Sequence, residues 1–196
     1  MAKQPTREQA WELLTEYNQA DALLKHSLAV EAVMRHFAAL YHEDVEKWGV
    51  IGLLHDLDYE QFPDQHCSKS AEIMRGHGID EEYIHAVCSH GWGICSDVAP
   101  VHRMEKVLYA VDELTGLINA VCLMRPSKSV LDLEARSVLK KCKQKNFAAG
   151  VNREVIEKGC QMLGMELSEL VQETIQGMRT AAEAIGLKGS IETVQQ

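Results

Sequence analysis

The sequence predicts an all-α protein. Apolar residues recur in steps of three and four, capping and stop residues bracket those runs, and no alternation longer than a few residues suggests a strand. Thr6 with Gln9 three positions on is a capping-box signature for a helix through about Asn18. Asp21 can cap a helix to about Tyr41, and Asp44 one that ends near Leu57. Tyr59 to Gln65, with Pro63, reads as a loop. A helix from His66 to Arg75 stops at the glycines 76 and 78, and Asp80 caps the next, which ends at Gly91. Residues 91–101 read as a loop, followed by a long helix from about His102 to Met124 that stops before Pro126. Three more helical stretches follow near 131–145, 152–163 and 166–185. The chain divides into an N-terminal helix (1–19), a central domain (20–130) and a C-terminal helical extension (131–196) expected to pack on it.

The 196 residues suffice for one domain with a real core, and 46% hydrophobic with 25% charged residues excludes a disordered chain. Net charge is −9, which argues against extended nucleic acid as partner, because phosphate-backbone binding needs a basic surface. The excess is local. Residues 1–129 hold 11 Lys and Arg against 20 Asp and Glu, whereas 130–196 hold nine of each. No apolar run reaches the ~18–20 residues of a membrane helix, and the first residues show no signal core. Six cysteines without a CxxC pair read as reduced thiols, so a cytoplasmic location is expected. Neither a GxSxG elbow nor a GxxxxGK[ST] loop is present.

The chemistry lies in the nine histidines. Helical spacing puts His26 on a stripe with Leu23, Val30, Val33 and Phe37. His55 lines up with Trp48 and Ile51, His90 with Tyr83 and Val87, and His66 with Ser70 and Ile73. Asp112 falls beside Leu108 and Thr115, and Asp56 directly follows an apolar run. A single histidine on such a stripe is usually a satisfied core residue, and a single aspartate a cap or salt-bridge partner. Four core-facing histidines and two carboxylates on five successive segments are better explained together. A buried carboxylate needs a cation, and imidazole with carboxylate is the donor set for Zn, Fe, Mn, Ni or Co. Six ligands suit two ions better than one.

The order His26, His55-Asp56, Asp112 resembles the H…HD…D signature of the HD-domain metal-dependent phosphohydrolase superfamily. The surrounding stretches KHSLAV, GLLHDLD and EKVLYAVDEL fit it as well. His66 and His90 resemble the additions of its two-metal subgroup, and the whole chain resembles small bacterial predicted HD-superfamily hydrolases. The resemblance covers about residues 20–130 and implies an HD-domain helical bundle. It implies that His26, His55, Asp56 and Asp112 hold one divalent ion. Asp56 then bridges to a second ion on His66 and His90, with His55 and Asp56 at the catalytic centre. The expected activity is hydrolysis of a small phosphate ester or anhydride, a nucleotide above all, by a metal-activated water. The cofactor is one or two divalent transition-metal ions.

Asp58 is expected to orient a ligand histidine or a bound water. Arg125 and Lys128 either face the substrate phosphate or serve a helix C-terminus. Lys25, Lys69, Arg103 and Lys106 read as surface charges, and the basic cluster of Arg136, Lys140, Lys141, Lys143 and Lys145 as a solvated face. After His90 comes Gly91-Trp92-Gly93 rather than the GYP motif of cyclic-dinucleotide phosphodiesterases. Two other functions share the donor set: a di-iron oxygenase of the same fold, and a non-catalytic metal-containing nucleotide-binding module. The partner in each case is a small molecule.

Overall fold

The computed structural model describes residues 2–190. Among them are nine α-helices, one short 3-10 turn and no strand, only two isolated bridges, Lys3 with Ile79 and Trp92 with Ser96. The first helix, α1 (Arg7–Tyr17), has its capping box formed by Thr6 and Gln9 and buries Ala10, Leu13 and Leu14. The long α2 (Asp21–Leu40) buries Val30, Val33, Met34 and Phe37 along one face, and α3 (Val45–Leu54) is buried continuously from Trp48 to Leu54. A helix apolar all round belongs at the centre of a bundle. Two shorter helices, α4 (Ser68–Gly76) and α5 (Glu81–Ser89), lead into α6 (Arg103–Leu123), whose buried face runs from Met104 to Cys122. His102 caps α6 together with Glu105, so its ring serves the helix end.

Helix ends depart from the sequence reading at two places that matter. The third helix stops at Leu54, not Leu57. Its C-cap is His55, after which the chain turns through hydrogen bonds from Leu57 N to Leu54 O and Tyr59 N to Asp56 O. His66 lies outside α4, because Cys67 takes a left-handed backbone (φ +67°) and the helix begins only at Ser68. A positive φ is uncommon for an L-residue and breaks the helical line that the spacing of His66, Ser70 and Ile73 suggests.

The last three helices are α7 (Ala135–Cys142), α8 (Arg153–Leu163) and α9 (Leu167–Thr180), shorter than the runs near 131–145 and 166–185. They share one continuous apolar core with the earlier helices. Gly159 lets α8 cross α6 closely, since a Cβ there would stand 2.4 Å from Ala110 Cβ; at Gly177 of α9 one would stand 2.7 Å from Val33 Cα of α2. His36 of α2 also meets Glu173 of α9 at 2.6 Å. None of the described helices is long and apolar enough to cross a membrane.

Gly159→Val is expected to lower unfolding stability by about 1–3 kcal/mol through overpacking against Ala110. For a chain of this size each kcal/mol moves Tm by roughly 2–4 °C. Thermal unfolding followed by circular dichroism checks this, and an unchanged Tm contradicts so close a crossing.

Candidate metal centre

Five segments deliver six side chains to one point. His26 comes from the second turn of α2 and Asp112 from the middle of α6, both interior positions of long helices. His55 and His90 are the C-caps of α3 and α5, so both rings leave at a helix end. Asp56 follows in the turn, and His66 sits between the 3-10 turn (Pro63–Gln65) and α4.

The donor atoms form two groups joined by one carboxylate. In the first, His26 Nε2 lies 2.9 Å from Asp112 Oδ1 and 3.2 Å from His55 Nε2, and His55 Nε2 lies 3.4 Å from Asp112 Oδ1. Asp56 Oδ2 faces this group, 3.3 Å from His55 Nε2 and 3.8 Å from His26 Nε2. In the second, His66 Nε2 and His90 Nε2 are 3.0 Å apart, and Asp56 Oδ1 lies 3.5 Å from each. His26, His55 and Asp112 form a set that can hold a metal ion, and so do His66, Cys67 and His90.

The ring orientations are held from behind. His55 Nδ1 donates to Gly52 O at 2.8 Å and His90 Nδ1 to Val87 O at 2.5 Å. A carbonyl accepts only, so both rings carry their proton on Nδ1 and present the Nε2 lone pair inward. His66 Nδ1 meets Asp58 Oδ1 at 2.7 Å, while Asp58 Oδ2 accepts from Ser70 N at 2.7 Å. Asp58 is fully buried and spends both oxygens on this support. Facing imidazole lone pairs about 3 Å apart repel unless a proton or a cation stands between them.

The surrounding cavity, about 330 Å³, is lined by His26, Asp56, Tyr59, His66, His90, Gly91, Ile94, Cys95, Asp112, Glu113, Gly116, Gly150 and Val155. Among these described residues are three carboxylates and no lysine or arginine. Convergent nitrogen lone pairs, an excess of carboxylate and no protein cation make a donor set that fits divalent metal ions.

Without metal, protons take over. Burial opposes charge on His55, but Asp56 and the hydrogen bond to Asp112 outweigh it and push the ring well above its ordinary value of 6.5. Burial likewise opposes charge on His66, and Asp58 and Asp56 overcome it. Asp56 and Asp112 are held far below the usual carboxylate range, against burial, by His55 and His26. Glu113 goes the other way, because burial raises it more than the Asn152 backbone N–H lowers it.

Arg125 and Lys128, expected either to face the substrate phosphate or to serve a helix C-terminus, belong to the turn after α6. Neither lines this cavity. The Arg125 guanidinium grips both carboxylate oxygens of Asp132 at 2.9 Å and donates to Ser129 O, which closes the turn after α6. Lys128 is a left-handed residue of that turn (φ +48°). The cavity wall instead draws on the C-terminal third. Val155 comes from α8 and Gly150 from the loop before it. Arg153 shapes that loop by donating to the carbonyls of Cys142, Gln144, Phe147, Ala148 and Val151, and Glu113 Oε2 accepts from Asn152 N at 3.0 Å. An arginine directly after a helix cap was the only sequence signal for this arrangement. A second cavity, about 240 Å³, touches His26 from the side of Lys25, Asn119 and Leu187, with Lys25 ion-paired to Asp21 at 2.6 Å.

A family model described as HD domain matches residues 23–138, more than half of the chain and all six side chains above. The curated proteins and the solved structures yield no match.

The shifts set a pH profile for the metal-free protein. Histidines raised above 6.5 contribute stability that is complete below that value and is lost as pH rises through their folded values. Carboxylates lowered below 3.8 contribute stability present above that value and lost as pH falls through their folded values. Metal-free protein is therefore expected to lose Tm above neutrality. Added Zn²⁺ or Mn²⁺ displaces those protons, so it should raise Tm more at about pH 8 than at about pH 5.5. Equal gains at both, by differential scanning fluorimetry, would contradict the assignment.

Proposed function

The chain belongs to the HD-domain superfamily of metal-dependent phosphohydrolases, and on that premise we propose that it hydrolyses a small phosphate ester or anhydride, a nucleotide above all, at the His/Asp centre. The observation that carries this reading is Asp56, whose two oxygens face two separate imidazole pairs. One ion takes His26, His55, Asp56 and Asp112, the second takes His66, His90 and Asp56, and each is Fe, Mn, Zn, Ni or Co. Bound there, divalent cations supply Lewis acidity toward phosphoryl oxygen and a nucleophilic water at neutral pH.

The protein's own groups do the rest. Gly52 O, Val87 O and Asp58 keep three rings in the orientation that presents Nε2. Tyr59 and Ile94 are exposed at the cavity and give the organic part of a substrate an apolar rest. Val155 and Gly150 of the Arg153-braced loop add to the cavity wall. Positive field for the phosphate comes from the cations rather than from Arg125 or Lys128, which accords with an acidic protein acting on an anion. Residues 20–130 form the metal domain in this reading, 1–19 a leading helix, and 131–196 an extension that supplies part of the wall. Six unbridged cysteines suit a reducing compartment, the cytoplasm.

The test is phosphate release from a panel of nucleotides and simple phosphoesters with Mn²⁺, Co²⁺, Ni²⁺, Mg²⁺ or Fe²⁺ added. Turnover with at least one nucleotide is expected, and complete inactivity of protein shown to hold metal would overturn the reading. His55→Ala should abolish turnover. Asp58→Asn should weaken metal affinity by about 10- to 100-fold while leaving the fold intact by circular dichroism. Full activity in His55→Ala puts the chemistry elsewhere.

A further inference from the structure

We propose that Cys67 supplies a sulfur ligand to the second cation position, beside His66 and His90; this rests on the reading of the cluster as a metal centre. One donor atom from each of His66, Cys67 and His90 lies within 4.8 Å of the other two. The Nδ1 atoms of both rings are committed to Asp58 and Val87 O, which leaves the Nε2 atoms for a cation. Bonds of about 2.1 Å to nitrogen and about 2.3 Å to sulfur span at most about 4.4 Å, close to the 4.8 Å within which donor atoms of the three residues lie.

The surroundings of this thiol are built. Cys67 is 1% exposed. Its left-handed backbone lets it follow His66 directly and still turn into the core. Its carbonyl accepts from Cys88 Sγ at 3.4 Å, and its sulfur meets Cys95 Sγ at 3.4 Å. Both of the latter sulfurs pack on Gly91, where a Cβ would stand 2.7 Å from Cys67 Sγ and 2.5 Å from Cys95 Sγ. The residue after the ligand His90 thus has to be glycine for the thiols to approach.

The chemistry balances without an oxidant. As the cation arrives, the Cys67 S–H bond breaks and its proton leaves to water. The sulfur lone pair then forms the bond to the metal, and the Cys95 thiol donates a hydrogen bond to the thiolate. Two imidazoles and a thiolate favour Zn, Fe or Co over Mg or Mn, which prefer oxygen. The two positions would then differ in kind: a nitrogen and oxygen set at His26, His55 and Asp112, and a softer one at His66 and His90.

The experiment is a Co²⁺ titration of the reduced, metal-stripped full chain followed by absorption. A near-ultraviolet thiolate-to-cobalt charge-transfer band is expected beside the visible bands of histidine and carboxylate ligation. Cys67→Ser should lose that band, keep visible bands and weaken the second equivalent of Zn²⁺ by about 10-fold or more; Cys95→Ser should keep it. Visible bands without the charge-transfer band in the wild type overturn the sulfur assignment alone, as does a band that survives Cys67→Ser or vanishes only in Cys95→Ser. Absence of any cobalt binding overturns the metal centre itself. X-ray absorption on the zinc-loaded wild type needs no variant: a sulfur scatterer at about 2.3 Å supports the proposal, and nitrogen and oxygen scatterers alone overturn it.

Discussion

One shared carboxylate organises this molecule. Asp56 turns one oxygen toward His26 and His55 and the other toward His66 and His90. An ionised carboxylate in so enclosed a place is stable only with positive charge on both sides. In the metal-free chain protons on the surrounding rings supply it, and divalent cations bound there would take their place. The bundle therefore closes around a deficit of positive charge, with Asp56, Asp112 and Glu113 lining the cavity.

The fold places this carboxylate by ending helices. The helices α3 and α5 stop at His55 and His90, and each ring turns back to a carbonyl of its own last turn. Each bond engages a carbonyl of the last helical turn, although Val87 O also accepts from His90 N, and each selects the tautomer at the same time. The long helices α2 and α6 contribute His26 and Asp112 from their interiors, where packing leaves little freedom. Asp58 does for His66, which lies in a loop, what a helix end does for the others.

Much of this was legible in the sequence because helical spacing reports faces. His26 and Asp112 sit on regular helices, so counting threes and fours puts His26 on an apolar stripe and Asp112 at the margin of one, whereas the expectation for Asp58 comes with the family resemblance and not from spacing. For His66 the spacing misleads: its helical line does not exist, since Cys67 adopts a positive φ that glycine would ordinarily signal. Arg125 shows another limit. A basic residue after a helix has a charge but no address, and its partner Asp132 lies seven residues on in a turn that spacing does not describe. Gly150 and Val155 reach the cavity only because Gly159 lets α8 lie against α6, a contact between distant parts of the chain with no local pattern.

Metal content measures the claim about Asp56 most directly. Protein purified without chelator or affinity metal, loaded with excess Zn²⁺ and desalted, should retain close to two equivalents per chain by elemental analysis. Asp56→Asn, folded by circular dichroism, should retain one or fewer, because a single side chain serves both positions. Two equivalents in Asp56→Asn, or none in the wild type, would contradict the account.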